Sequence, residues 1–110
     1  MEMRSGTIEF PVGRGERSLS FSFLFPKRVI ETHVALSGYE AQYASGDHHI
    51  KRLKVKLSSQ PGGFTDEGYE ARVTAVINLR DQNADDPYSG SISFVLFAQT
   101  QSRVPPVTTV

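Results

Sequence analysis

From Ser18 to Phe25 the chain places Leu19, Phe21, Phe23 and Phe25 at every second position, with Ser18, Ser20 and Ser22 between them. Successive side chains of a strand point to opposite faces, so this spacing predicts a strand with one buried and one wet face. Pro26 follows, removes a ladder donor, and predicts a strand end with a turn through Lys27 and Arg28.

The same period of two returns along the rest of the chain. Ile30, Thr32, Val34 and Leu36 share one side of the next segment, opposite Val29, Glu31, His33 and Ala35, and Ser37-Gly38 reads as its close. Leu53, Val55 and Leu57 alternate with Lys54 and Lys56, while Ile50 breaks their parity and predicts a bulge or a strand start near Lys51-Arg52. Pro61-Gly62-Gly63 is the strongest turn signal. Beyond it, Ala71, Val73, Ala75, Ile77 and Leu79 form one face, and Ile92, Phe94, Leu96 and Ala98 form another in the segment Gly90 to Gln99. A short first strand covers Ser5 to Phe10, and Asp81 to Ser89 reads as an exposed loop. No segment carries a helical period. The expected fold is all-β, a six-stranded antiparallel β-sandwich over residues 1–100 with a flexible tail at 101–110.

Composition narrows the functional classes. A chain of 110 residues encloses one core. Twelve Lys and Arg balance twelve Asp and Glu, which gives no global attraction to nucleic acid or to an anionic membrane. The absence of Cys removes disulfides, zinc-thiolate sites and thiol nucleophiles. No apolar run has the length of a membrane span, and Met1 to Ser5 is polar, so a cytoplasmic or lysis-released protein is expected. Phosphate cradles, nucleophile elbows and metalloprotease His pairs are missing as well, and no catalytic activity is expected.

Candidate chemistry falls in three places. Asp47-His48-His49 supplies ligand types suited to zinc, but neighbouring strand residues point to opposite faces, and a turn Asp with hydrogen-bonded histidines is the simpler reading. In Asp81-Gln82-Asn83-Ala84-Asp85-Asp86, oxygen ligands alternate at Asp81, Asn83 and Asp85 as in a calcium loop. Asp86 stands where the sharp-turn Gly belongs, and Ile92 where the bidentate Glu belongs, so a solvated loop is preferred. Lys51, Arg52, Lys54 and Lys56 form a basic ladder able to attract phosphate or an acidic or sulfated glycan, although lysines protecting an edge strand explain it as simply. Val76, Val95 and Phe97 occupy outward positions and predict a subunit contact, against the alternative of scattered surface apolar residues.

The order of these pieces resembles the H-type lectin domain. Ser5-Gly6-Thr7-Ile8 is similar to that family's opening strand, Phe25-Pro26 with Val34 and Leu36 to its F-x-x-P-V region, Gly63-Phe64 to its Gly-Phe after a turn, and Gly90-Ser91-Ile92-Ser93-Phe94 to its final strand. The resemblance implies a six-stranded sandwich, assembly as a trimer or hexamer, and binding of N-acetylgalactosamine or related sugars. It also implies a sugar-holding Arg, whose place falls near Lys54 or Lys56, and a Trp-His pair, where this chain has Val73-Thr74. A glycan site here would therefore be built anew, from Asp47, His48, His49, the acidic loop and aromatic edges such as Tyr39, Tyr43, Tyr69 and Tyr88. The alternatives are an assembly domain without a sugar ligand, or a calcium- or zinc-binding module.

Overall fold

The computed structural model describes residues 1–45, 50, 52–81 and 86–101. Six strands follow one another: β1 (Glu2–Gly13), β2 (Arg17–Phe25), β3 (Val29–Tyr43), β4 (Arg52–Thr65), β5 (Gly68–Arg80) and β6 (Tyr88–Thr100). They form two antiparallel sheets of three, sheet A in the order β1-β6-β3 and sheet B in the order β2-β5-β4. The fold is an all-β sandwich. No helix among the described residues is long and apolar enough to cross a membrane.

The core lies between the two middle strands. Ala71, Val73, Ala75, Ile77 and Leu79 of β5 and Ile92, Phe94, Leu96 and Ala98 of β6 are buried, as their alternation predicts. Small side chains on β5 leave room for the larger ones of β6, and interdigitation of this kind brings a sandwich to interior packing density. Gly6 serves the same end on β1. A Cβ there would lie 2.8 Å from Cζ of Phe94 and 3.3 Å from Cζ of Phe23, so the missing side chain gives these rings their T-shaped contact at 5.9 Å.

Each end of the core is closed by an arginine over an aromatic ring. Arg4, at an inward position of β1, places its guanidinium 4.7 Å from the Phe25 ring centroid. At the opposite end, the Arg17 guanidinium lies 4.4 Å from the Tyr88 ring and 5.7 Å from the Phe10 ring. Arg17 also donates to the carbonyls of Pro11 and Tyr88, and the buried Tyr88 hydroxyl donates to those of Gly15 and Ile77. These bonds tie sheet B to sheet A in both directions.

Four local expectations differ from the structure, and the first three differences trace to bulges. Pro61-Gly62-Gly63 is not the turn. β4 is an edge strand, which tolerates Pro, and it runs through this segment with a register shift between Pro61 and Phe64. The chain reverses at Asp66-Glu67, where Gly68 holds φ 143° and a Cβ would press against the Phe25 carbonyl at 2.9 Å. Ser37-Gly38 does not close β3 either: the shift between Leu36 and Gly38 flips the parity, and Tyr39, Ala41 and Tyr43 pair with Ile92, Gly90 and Tyr88. A further shift between Val29 and Glu31 buries Val29 and exposes Ile30. The segment read as a loop up to Ser89 ends earlier, because Tyr88 and Ser89 already belong to β6.

The Tyr88 hydroxyl is the most economical test of this end closure. Tyr88→Phe keeps the ring and removes two hydrogen bonds, so stability should fall by about 1–3 kcal/mol. In urea unfolding this appears as a lower midpoint at unchanged slope; a wild-type midpoint would show that the hydroxyl contributes nothing.

Candidate functional site

An open hollow of about 450 Å³ lies on the outer face of sheet A, lined by Glu9, Pro11, Glu40, Gln42, Ser89 and Ser91. Register builds it. Glu9 on β1 pairs with Ser91 on β6, and Ser91 pairs with Glu40 on β3, so the three lie in one row across the sheet. Gln42 and Ser89 form the next row. Between these rows stands Gly90, where a Cβ would lie 2.6 Å from the Glu40 carbonyl and 2.8 Å from Cδ1 of Ile77. Glycine is thus required there for β3 and the opposite sheet to approach β6 this closely.

The groove offers carboxylates, hydroxyls and an amide, and among the described residues no cationic side chain lines it. Carboxylates accept hydrogen bonds from hydroxyl or ammonium groups, while serine and glutamine both donate and accept. Glu9 and Glu40 are exposed.

Of the residues predicted for ligand binding, Lys54, Lys56 and Tyr88 are described and do not line this groove. Lys54 and Lys56 lie on the outer face of sheet B, on the far side of the sandwich, and Lys54 is ion-paired with Glu16 at 2.6 Å. Tyr88 is buried with its hydroxyl already engaged, so it presents no edge to a ligand. Val73, at the place of the Trp-His pair implied by the lectin resemblance, is buried, and Thr74 beside it hydrogen-bonds Ser20 at 3.0 Å. Asp47, His48, His49, Asn83 and Asp85 lie outside the described residues. Of the acidic loop, Asp81 and Asp86 are described and stand near Tyr43. Among the described residues, no group of three or more His, Asp or Glu is arranged to hold a metal ion.

The predicted subunit contact divides. β5 and β6 belong to different sheets, so Val76 faces outward from sheet B whereas Val95 and Phe97 face outward from sheet A. These three side chains cannot form one patch. Sheet A alone does place Val95 and Phe97 beside Met3 and Ala35, their neighbours across the ladder.

Sequence reasoning missed Glu9, Glu40, Gln42, Ser89 and Ser91. Each is a polar residue at an outward position, which alternation alone reads as an ordinary wet face. The one local signal was Gly90 within a strand pattern, a mark of close backbone approach. Comparison with protein-family models, with curated proteins and with solved structures gave no match.

Next to the groove, Tyr43 has its phenol pKa raised above 10.0 by burial and, further, by the carboxylates of Asp81 and Asp86. Above that value the unfolded chain loses a proton that the folded one keeps, so this contribution is complete below pH 10.0 and is lost as pH rises through the folded pKa. Tyr43→Phe should therefore lose less stability than wild type between neutral and strongly alkaline pH. Denaturant unfolding of both proteins across that range measures the difference, and parallel pH profiles would contradict it.

Proposed function

We propose that the protein is a non-catalytic, self-associating carbohydrate-binding module. The groove on sheet A carries this reading: its donors and acceptors suit the hydroxyls of a sugar, and its two carboxylates disfavour an anionic one. The H-type lectin resemblance supports the same ligand class and a hexosamine in particular. It places the sugar elsewhere, however, at residues that here are basic, buried or substituted.

Self-association is supported by the open edges of the sandwich. Leu19 and Phe21 on β2 point inward by register yet are 41% and 46% exposed, and on the opposite edge Leu36 and Tyr39 on β3 are 48% and 50% exposed. Phe21 extends the aromatic row of Phe94 and Phe23, its centroid 4.9 Å from that of Phe23. A second copy covering these side chains would bury apolar area at about 25 cal/mol per Å². The same edges favour the second reading, an assembly component without a sugar ligand.

A glycan array with the purified chain separates the two. Neutral and amine-bearing hexosamine glycans should bind, with affinity falling about tenfold or more in Glu40→Gln or Glu9→Gln. Silence across the array would leave the assembly reading in place. Size-exclusion chromatography with light scattering should give a multiple of the chain mass, reduced by Phe21→Ser; a single-chain mass for wild type would remove self-association.

A further inference from the structure

We propose that the outer face of sheet B carries a second binding site, formed by Arg52, Lys54, Lys56 and Arg80, whose ligand is an anionic polysaccharide. The site is independent of the groove on sheet A and stands or falls separately from it.

The pairing of β4 with β5 creates it. Arg52 pairs directly with Arg80, Lys54 with Asn78 and Lys56 with Val76, so four cations share three neighbouring rows of one outward face. Partners across an antiparallel ladder have Cα atoms about 4.5–5.5 Å apart, and like charges placed so destabilise the sheet. Along β4 the basic side chains recur about every 6.7 Å, so Arg52 to Lys56 spans roughly 13 Å. Lys54 is ion-paired with Glu16, whose carboxylate also feels Lys56 and Arg52 from further away; among the described residues Arg52, Lys56 and Arg80 make no ion pair. Further along the same face Arg72 is neutralised by Glu70 at 3.2 Å, which confines the excess positive charge to this end.

Edge protection accounts for charges on β4, the outer strand of its sheet. It does not account for Arg80, which lies on β5, the strand that β4 already pairs. The opposed arginines retain a repulsion that a bound anion would relieve. The rest of the face selects the anion: beside Val76 and Leu24 it presents Ser18, Ser20, Ser58, Gln60, Thr74 and Asn78, side chains that hydrogen-bond hydroxyls, and among the described residues no aromatic ring on which a base could stack. A linear chain carrying sulfate or carboxylate groups among its hydroxyls fits both the charge and the polar surface better than a single-stranded nucleic acid.

Heparin serves as the probe, with neutral dextran as control, and binding is measured by calorimetry across a salt series. Wild type should bind heparin with an affinity that falls as salt rises, whereas any dextran held by the groove should bind independently of salt. Arg52→Gln and Arg80→Gln should each weaken binding about tenfold, whereas Arg72→Gln and the groove variant Glu40→Gln should leave it unchanged. Thermal unfolding at low salt guards against misfolding: Arg80→Gln, relieved of its opposed charge, should melt no lower than wild type, and heparin should raise the melting temperature of wild type more than that of the variant. The proposal is overturned by absence of heparin binding, by equal loss in Arg72→Gln, or by tighter binding of a single-stranded DNA oligonucleotide. Salt-sensitive self-association without heparin binding would give the face to a second copy and overturn it as well.

Discussion

Everything in this molecule depends on the stacking of β5 over β6. These are the middle strands of their sheets, and their inward side chains are buried along nearly the whole length of each. Burial of this kind fixes register, because a slip of one residue would turn the apolar row of either strand to solvent. Once β5 and β6 are fixed, their hydrogen-bonding edges dictate where the four outer strands lie. Both surfaces discussed as binding sites are consequences of that register: the row Glu9, Ser91, Glu40 exists because β1 and β3 flank β6, and the opposition of Arg52 and Arg80 because β4 flanks β5.

The two outer faces differ in charge although the chain as a whole is neutral. Sheet A presents Glu9, Glu31 and Glu40, and sheet B presents Arg52, Lys54, Lys56, Arg72 and Arg80 against Glu70. A zero sum thus conceals a dipolar protein, and surface potential is set by local arrangement more than by the total. Such polarity suits a module that holds different chemistries on its two sides, a polyol without negative charge on one and an anionic chain on the other. Apolar side chains also face outward on sheet A, where Val95 and Phe97 stand beside Met3 and Ala35.

Small sandwiches have little interior, and this one supplements it with arginines. Arg4 and Arg17 lay their planar guanidinium groups over Phe25, Phe10 and Tyr88, covering the two ends of the core with groups that stay in partial contact with water. The side edges have no such cover. Leu19 and Phe21 on one and Leu36 and Tyr39 on the other lie half open, and a core that ends in this way gains from a neighbour.

Fold class, strand number and the inward faces of β2, β5 and β6 were legible in the chain, because alternation is a local property and Ser18 to Phe25, Ala71 to Leu79 and Ile92 to Ala98 each carry it without interruption, although Leu19 and Phe21 stay half exposed. The sequence misplaced the turn at Pro61-Gly62-Gly63 and the end of β3 at Ser37-Gly38, since Pro and Gly signal an interruption without saying whether the chain reverses or only bulges. Only the tertiary structure decided which outward residues become neighbours. Glu9 and Glu40 lie 31 positions apart, Arg52 and Arg80 lie 28 apart, and each pairing follows from which strands share an edge. Strand order is a long-range outcome of core packing, so the sites it assembles, and the separation of Val76 from Val95 and Phe97, were beyond the reach of any local pattern.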